Sequence, residues 1–268
     1  MLIDWENDMD LDLAGKVALV TGGSRGIGRA SALALAQEGC HVAVCARGEE
    51  GLGIALDELR SISPRVWGKV ADVTSSSDVE AFVAGAVDSL GGIDALVCNV
   101  CGSSGGETLD ATDEEWMATL DVNLMHAVRT IRAAVPHMRG RGHASIIIVP
   151  SISGWKPGPR AQYGAAKAAE IFLSSALAWD LAGDHIRLNT VCPGSILFPG
   201  GGWADYRRDD PEGYARFMEN ELPEKRLGTD TEVAEVIAFL CSERSRWVNG
   251  AMIPVDGGQS RPSGRWFN

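Results

Sequence analysis

The sequence predicts a doubly wound α/β fold, a single domain whose parallel sheet is covered by helices on both faces. Three observations carry that expectation. Short runs that are apolar throughout recur along the chain, helical stretches separate them, and the first run empties into a glycine-rich turn. Strands without polar alternation are buried on both faces, and strands separated by helices run parallel.

The elements follow in order. An acidic leader, residues 1–12, carries no chemistry, although its Trp5 is free to pack on a neighbour. Strand Lys16–Val20 opens the domain, which is expected over 13–260, and the turn Thr21-Gly22-Gly23-Ser24-Arg25-Gly26-Ile27-Gly28 leads into an alanine-rich helix to Glu38. Strand His41–Cys45, helix Glu49–Ser61, strand Val66–Val70, helix Ser77–Leu90 and strand Ala95–Val97 continue the alternation. A long helix Asp113–Arg139, strand Ser145–Val149, helix Ala161–Leu181 and strand Arg187–Val191 follow. An irregular stretch from Pro193 to Gly228 precedes helix Thr231–Cys241 and a last strand Met252–Val255. The tail 261–268 ends the chain, and its Trp266 and Phe267 are candidates to close a neighbouring subunit's pocket.

Composition narrows the function. At 268 residues the chain fits one domain with a large core. A net charge of −12, spread along the chain, argues against a nucleic-acid or anionic-lipid surface. No apolar run is long enough to span a membrane and no signal segment stands at the start, so a soluble cytoplasmic protein is expected. Most of the six cysteines sit in apolar runs and read as reduced core thiols. Cys98 and Cys101 spell C-x-x-C, but a redox pair of that type opens a helix and here glycines and serines follow. No second pair completes a zinc site, so no metal is expected.

The chemistry concentrates between Ser151 and Lys167. Tyr163 and Lys167 are four apart at the opening of a helix, which stacks phenol and ammonium on one face. A free tyrosine titrates near pH ~10, and a lysine beside it stabilises the phenolate, making Tyr163 a candidate acid/base. Ser151, twelve residues upstream, leaves its strand where its hydroxyl can face that phenol. Alone, such a pair is usually a core tyrosine beside a solvated lysine.

The glycine turn is the second pillar. After the first strand of a parallel sheet, glycines let the backbone approach a pyrophosphate, and the next helix presents free N–H groups and a positive dipole end. The same residues match the G-x-S-x-G nucleophile elbow of hydrolases. That reading fails on order, because the last histidine, His185, precedes two further strands. At the end of the second strand, where an acidic residue would accept from the ribose of NAD, stand Ala46 and then Arg47. With Arg25 in the turn, two guanidiniums and no carboxylate favour NADP(H) over NAD(H).

Taken together, TGGSRGIG, Ala71-Asp72-Val73, Asn99 to Gly102, Asn123, the set Ser151, Tyr163 and Lys167, Cys192-Pro193-Gly194 and Val255-Asp256-Gly257-Gly258 occur in the order of the short-chain dehydrogenase/reductases. The match covers about residues 13–260 and is similar to the single-domain type, in the style of the 3-oxoacyl-carrier-protein reductases. The resemblance implies a Rossmann fold in which Tyr163 is the acid/base, Lys167 lowers its pKa and holds the nicotinamide ribose, and Ser151 bonds the substrate oxygen. Asn123 would hold a water that relays protons from Lys167. The cofactor would lie along Gly22, Ser24, Arg25, Gly26, Ile27, Gly28 and Arg47. Asp72 and Val73 would border its adenine, Asn99 would lie along it, and Pro193, Gly194 and Ile196 would meet its nicotinamide end.

Departures from the family pattern occur at Cys98 to Gly102, where N-N-A-G is usual, at Phe198, where a threonine often stands, and at Pro150 before the serine. Residues 195–227, rich in aromatics and glycines, are expected to form a mobile lid, with Trp155, Phe198 and Trp203 joining Ser151 around a small carbonyl or alcohol substrate. The helices over 113–139 and 161–181 are apolar enough to pair with copies of themselves, as family members do in homodimers and homotetramers. The expected activity is NADP(H)-dependent interconversion of a ketone and a secondary alcohol. The alternative is a sensor or scaffold of the same fold that binds NADP(H) without turnover.

Overall fold

The computed structural model describes residues 10–63, 65–158 and 160–260. The expectations for Trp5, Trp266 and Phe267 lie outside the described residues. Seven strands form the predicted sheet: β1 (Val17–Thr21), β2 (His41–Ala46), β3 (Val66–Val70), β4 (Ala95–Cys98), β5 (Ala144–Ile148), β6 (Ile186–Pro193) and β9 (Met252–Val255). Every pairing is parallel and the order is β3-β2-β1-β4-β5-β6-β9. The order reverses beside β1, and in sheets of this kind the crevice at such a switch point receives the ligand.

Alternation along the strands builds two cores. Leu19, Ala43, Leu96, Ile146 and Ile148 point to one face, where they meet helices α3 (Ser76–Leu90), α5 (His126–Met138) and α6 (Ala161–Leu181). Ala18, Val20, Val42, Val97 and Ile147 point to the other, under α1 (Gly26–Gln37), α2 (Glu49–Ile62) and α9 (Asp230–Cys241). Burial on both sides is why these strands carry no polar alternation. Buried charges at the far end of the sheet are paired or bonded. Asp94 accepts from Val17 N and from two nitrogens of Arg141 at 2.8–3.0 Å. Arg187 donates to the carbonyls of Leu240, Ser242 and Val248.

Two stretches differ from the sequence reading. The helix expected over 113–139 is α4 (Asp113–Leu120), a π-helical turn at Asp121–Met125, and α5. A π turn lets one residue slip out of the i−4 ladder, and periodicity alone does not register it. The stretch expected to be irregular from 193 to 228 contains helices α7 (Gly202–Asp209) and α8 (Pro211–Glu221), and a short strand pair, β7 (Ile196–Leu197) with β8 (Gly228–Thr229). Their glycines and proline masked the pattern. The start signal of α8 was present in Asp210-Pro211, because Asp210 Oδ1 accepts from Gly213 N at 2.8 Å with proline in the first turn. α9 begins with a capping box between Thr229 and Glu232.

Candidate active site

Thr21 ends β1, and the chain turns through Gly22 at φ +70 and Gly26 at φ +53, a region that L side chains enter at a cost. A Cβ on Gly28 would lie 2.3 Å from the Gly22 carbonyl oxygen, so only glycine permits this close packing. α1 starts at Gly26 without a side-chain cap, and Gly26 and Ile27 line the cleft. Leading N–H groups and a positive dipole end are therefore available to a phosphate. Ala46 and Arg47, from the end of β2, and Asp72 and Val73, after β3, form the opposite wall. The residues present fit a dinucleotide: a tight glycine turn, an open helix end and no carboxylate at Ala46.

Details of that cleft go beyond the motif. Arg47 is exposed and lines it, whereas Arg25 Nη1 donates to the Gly200 carbonyl at 3.2 Å, tying the glycine turn to the segment before α7. Asp72 Oδ1 accepts from Thr74 N and Thr74 Oγ1, and these bonds hold its carboxyl below the usual range. Asn99 N donates to Thr21 Oγ1 and its amide to Thr21 O, locking the end of β4 to the end of β1. Phe198, expected near substrate, lies on the glycine turn. A Cβ on Gly26 would sit 2.8 Å from its ring.

Ser151, Tyr163 and Lys167 come together on the other side of the crevice. Ser151 leaves β5 in extended backbone and begins a single 3-10 turn, Ile152–Gly154. Its hydroxyl donates to Ser153 Oγ at 3.3 Å and accepts from Ser153 N at 3.1 Å, and it favours the ionised form of the Tyr163 phenol, which comes from the first turn of α6. Lys167, one turn on, sits fully buried with Nζ 5.5 Å from the Tyr163 ring centroid. Burial pushes the phenol above its ordinary value, and the pull of Lys167 does not outweigh it. A four-residue spacing places the lysine beside the phenol and carries no information on the desolvation that outweighs its pull.

Asn123 sits fully buried in the π turn. Its amide donates to Gly102 O and Thr119 O at 2.7 Å, and its Oδ1 accepts from Gly102 N. The side chain therefore holds the loop after β4. Its backbone carbonyl lies 3.2 Å from His126 Nδ1 and also accepts from His126 N.

The remaining candidates are more scattered. Gly194 N donates to Val255 O, and Ser195 N donates to the Gln259 side chain at 2.7 Å, which anchors the turn after Pro193 to the end of β9. The Ile196 side chain lines a separate cavity with Leu222 and Arg226. Trp155 closes the 3-10 turn against Lys156, whose Nζ is 2.7 Å from Asp256 Oδ2. Trp203 packs on Phe217 at 4.5 Å between ring centroids, in a small core with Tyr206, Tyr214, Leu222 and Leu227. Motif reading placed Thr21 at the head of the glycine turn without a role of its own, and missed His126 and Glu170. Of those two, only Glu170 left a signal, three residues after Lys167 and hence on the same helix face.

A family model described as Enoyl-(Acyl carrier protein) reductase matches residues 22–260. The human protein named Dehydrogenase/reductase SDR family member 4 is 38% identical over 250 residues, 92% of this chain and 88% of that protein. The chain belongs to the short-chain dehydrogenase/reductase family. Among other members, the 3-oxoacyl-[acyl-carrier-protein] reductase FabG of Thermotoga maritima is 35% identical over 92% of this chain and 98% of its own. The crystal structure of L-sorbose reductase from Gluconobacter frateurii, complexed with NADPH and L-sorbose, has a TM-score of 0.88 and 37% identity, covering 95% of this chain and all of that one. NAD+-bound xylitol dehydrogenase is similar at a TM-score of 0.85 and 30% identity, covering 92% of this chain and all of its own. This short-chain dehydrogenase/reductase is an oxidoreductase of the NAD(P)-binding kind.

Proposed function

We propose that this short-chain dehydrogenase/reductase interconverts a ketone and a secondary alcohol with NADP(H). The observation that carries the reading is the meeting of Ser151, Tyr163 and Lys167 beside a cleft whose β2 edge carries Arg47 and no carboxylate. When bound, the cofactor supplies or accepts the hydride. Tyr163 Oη donates its proton to the substrate oxygen in reduction and recovers one in oxidation. Ser151 Oγ donates to the same oxygen and fixes its position, and Lys167 compensates the charge left on the phenolate. The guanidinium of Arg47 suits the 2'-phosphate of NADP(H). The L-sorbose reductase solved with NADPH supports this choice, and the bound NAD+ of the xylitol dehydrogenase is the competing precedent.

We extend the proposal to assembly and setting. α5 and α6 present an apolar trough lined by Ile131, Val135, Leu173 and Leu177, with Phe172 exposed alongside, which suits a homodimer or homotetramer contact. Free thiols at all six cysteines suit the cytoplasm. Among the described residues, no helix is long and apolar enough to cross a membrane.

The test is NADPH and NADH consumption against aliphatic and aryl ketones, 3-oxoacyl thioesters, ketoses and steroid ketones, with Tyr163→Phe as control. NADPH-dependent reduction that falls about 10²- to 10⁴-fold in the variant supports the assignment. An unchanged rate in Tyr163→Phe excludes the acid role. Tight NADPH binding with no turnover across the panel favours a sensor or scaffold.

A further inference from the structure

Glu170 lies one turn beyond Lys167 on α6, and both side chains are 0% exposed. Lys167 Nζ is 2.9 Å from Glu170 Oε2, at ion-pair distance. A buried carboxylate is costly, and the charge opposite it is its compensation. The ammonium that faces the Tyr163 phenol is therefore also the counter-ion of a second acid.

The other titratable groups around the pair come from each packed element. Cys98 of β4 faces Glu170, Cys192 of β6 faces both charges, His126 of α5 faces Lys167, and Cys101 faces Lys167 and Tyr163. Burial raises Cys98 and Cys192, the latter to about 11, and lowers His126 to about 3, so these three are neutral near pH 7. Burial raises Glu170 as well, and the Lys167 ammonium beside it pulls back toward the carboxylate.

We propose that Glu170 is a positioning residue that holds the Lys167 ammonium in a buried pair and divides its charge, so that Tyr163 keeps its proton and the enzyme is set for reduction. The inference rests on the acid/base role of Tyr163 proposed above. A lysine acting on the phenol alone would lower the phenol's pKa further and prepare a base for alcohol oxidation. Burial already holds the phenol up, and with Glu170 at its back the same lysine offsets less of that shift, so the phenol stays protonated and ready to donate to a carbonyl oxygen.

The experiment titrates Tyr163 directly. The chain has three tyrosines, so tyrosinate absorbance of the intact enzyme minus that of Tyr163→Phe isolates one phenol. The expected midpoint in the wild-type protein lies above the ordinary tyrosine value, and a midpoint below that ordinary value overturns the inference. In Glu170→Gln the midpoint is expected to fall by about 1 to 2 pH units, with the alkaline loss of ketone reduction moving down in parallel, while Glu170→Asp stays near wild type. A folded Glu170→Gln protein with an unchanged midpoint overturns the proposal. The wild-type titration stands as a test even where that variant fails to fold. It needs no turnover, so an enzyme inert toward every carbonyl would sink the catalytic reading separately.

Discussion

Thr21 Oγ1 lies 2.9 Å from His126 Nε2, and both side chains are buried. The surroundings favour one arrangement of protons, with Val97 O at 3.4 Å the other acceptor in reach of the Thr21 hydroxyl. Asn123 O, 3.2 Å from Nδ1, can only accept, so Nδ1 carries the hydrogen and Nε2 accepts from the Thr21 hydroxyl. That hydroxyl in turn accepts from Asn99 N. One neutral imidazole thus ties the end of β1, the end of β4 and the π turn into a single unit under the cleft.

Burial, aided by the Lys167 charge, lowers the His126 pKa to about 3, against about 6.5 in an unfolded chain. The unfolded state binds the extra proton, so this contribution is fully present above pH 6.5 and is lost as pH falls toward 3. The slope is about 1.4 kcal/mol per pH unit. Urea midpoints at pH 7 and pH 5 should differ in the wild-type protein by more than in His126→Asn. Equal differences would place the acid sensitivity elsewhere.

Arg47 and Arg25 both line the cleft, but Arg25 is already bonded to Gly200 O. Arg47→Ala should therefore carry the larger effect. A lost charge-assisted contact of about 1.5–3 kcal/mol corresponds to a roughly 10- to 100-fold fall in kcat/KM for NADPH, with NADH little changed. Steady-state kinetics with both cofactors reads this, and equal losses for both would remove Arg47 from the 2'-phosphate.

Gly28→Ala should disrupt the cleft before it disrupts the sheet. Its Cβ would lie 2.3 Å from Gly22 O and 2.4 Å from the Asn99 amide, so the turn has to shift. Overpacking of this kind costs about 1–3 kcal/mol. Nucleotide binding by calorimetry should weaken strongly while far-ultraviolet circular dichroism is kept.

Trp203 joins Phe217 and Tyr206 in a core separate from the two sheet cores. Trp203→Ala should speed amide exchange across α7 and α8 without changing β1, β4 or β5, because a satellite cluster opens independently. Uniform acceleration over the whole chain would show that this segment folds with the sheet.

The strands were legible because burial on two faces demands apolar runs such as Leu96 to Cys98 and Ile146 to Ile148, and this demand is written residue by residue. The glycine turn was legible for the same local reason. α7 and α8 were not, since their apolar residues bury against each other across a turn and not against the sheet. Trp203, read as a substrate contact, packs into that small core, and Phe198 rests on the glycine turn.

By itself, the amino-acid order determined the layered sheet, the phosphate-ready turn and the phenol–ammonium pair, because backbone periodicity and helix-face spacing involve only near neighbours. The fold alone decided which polar group each buried atom would meet. Thr21 and His126 are 105 positions apart, and Glu170 competes for Lys167 only once both have lost their water. Desolvation and long-range pairing are properties of the packed chain, and they set how strongly Tyr163 holds its proton.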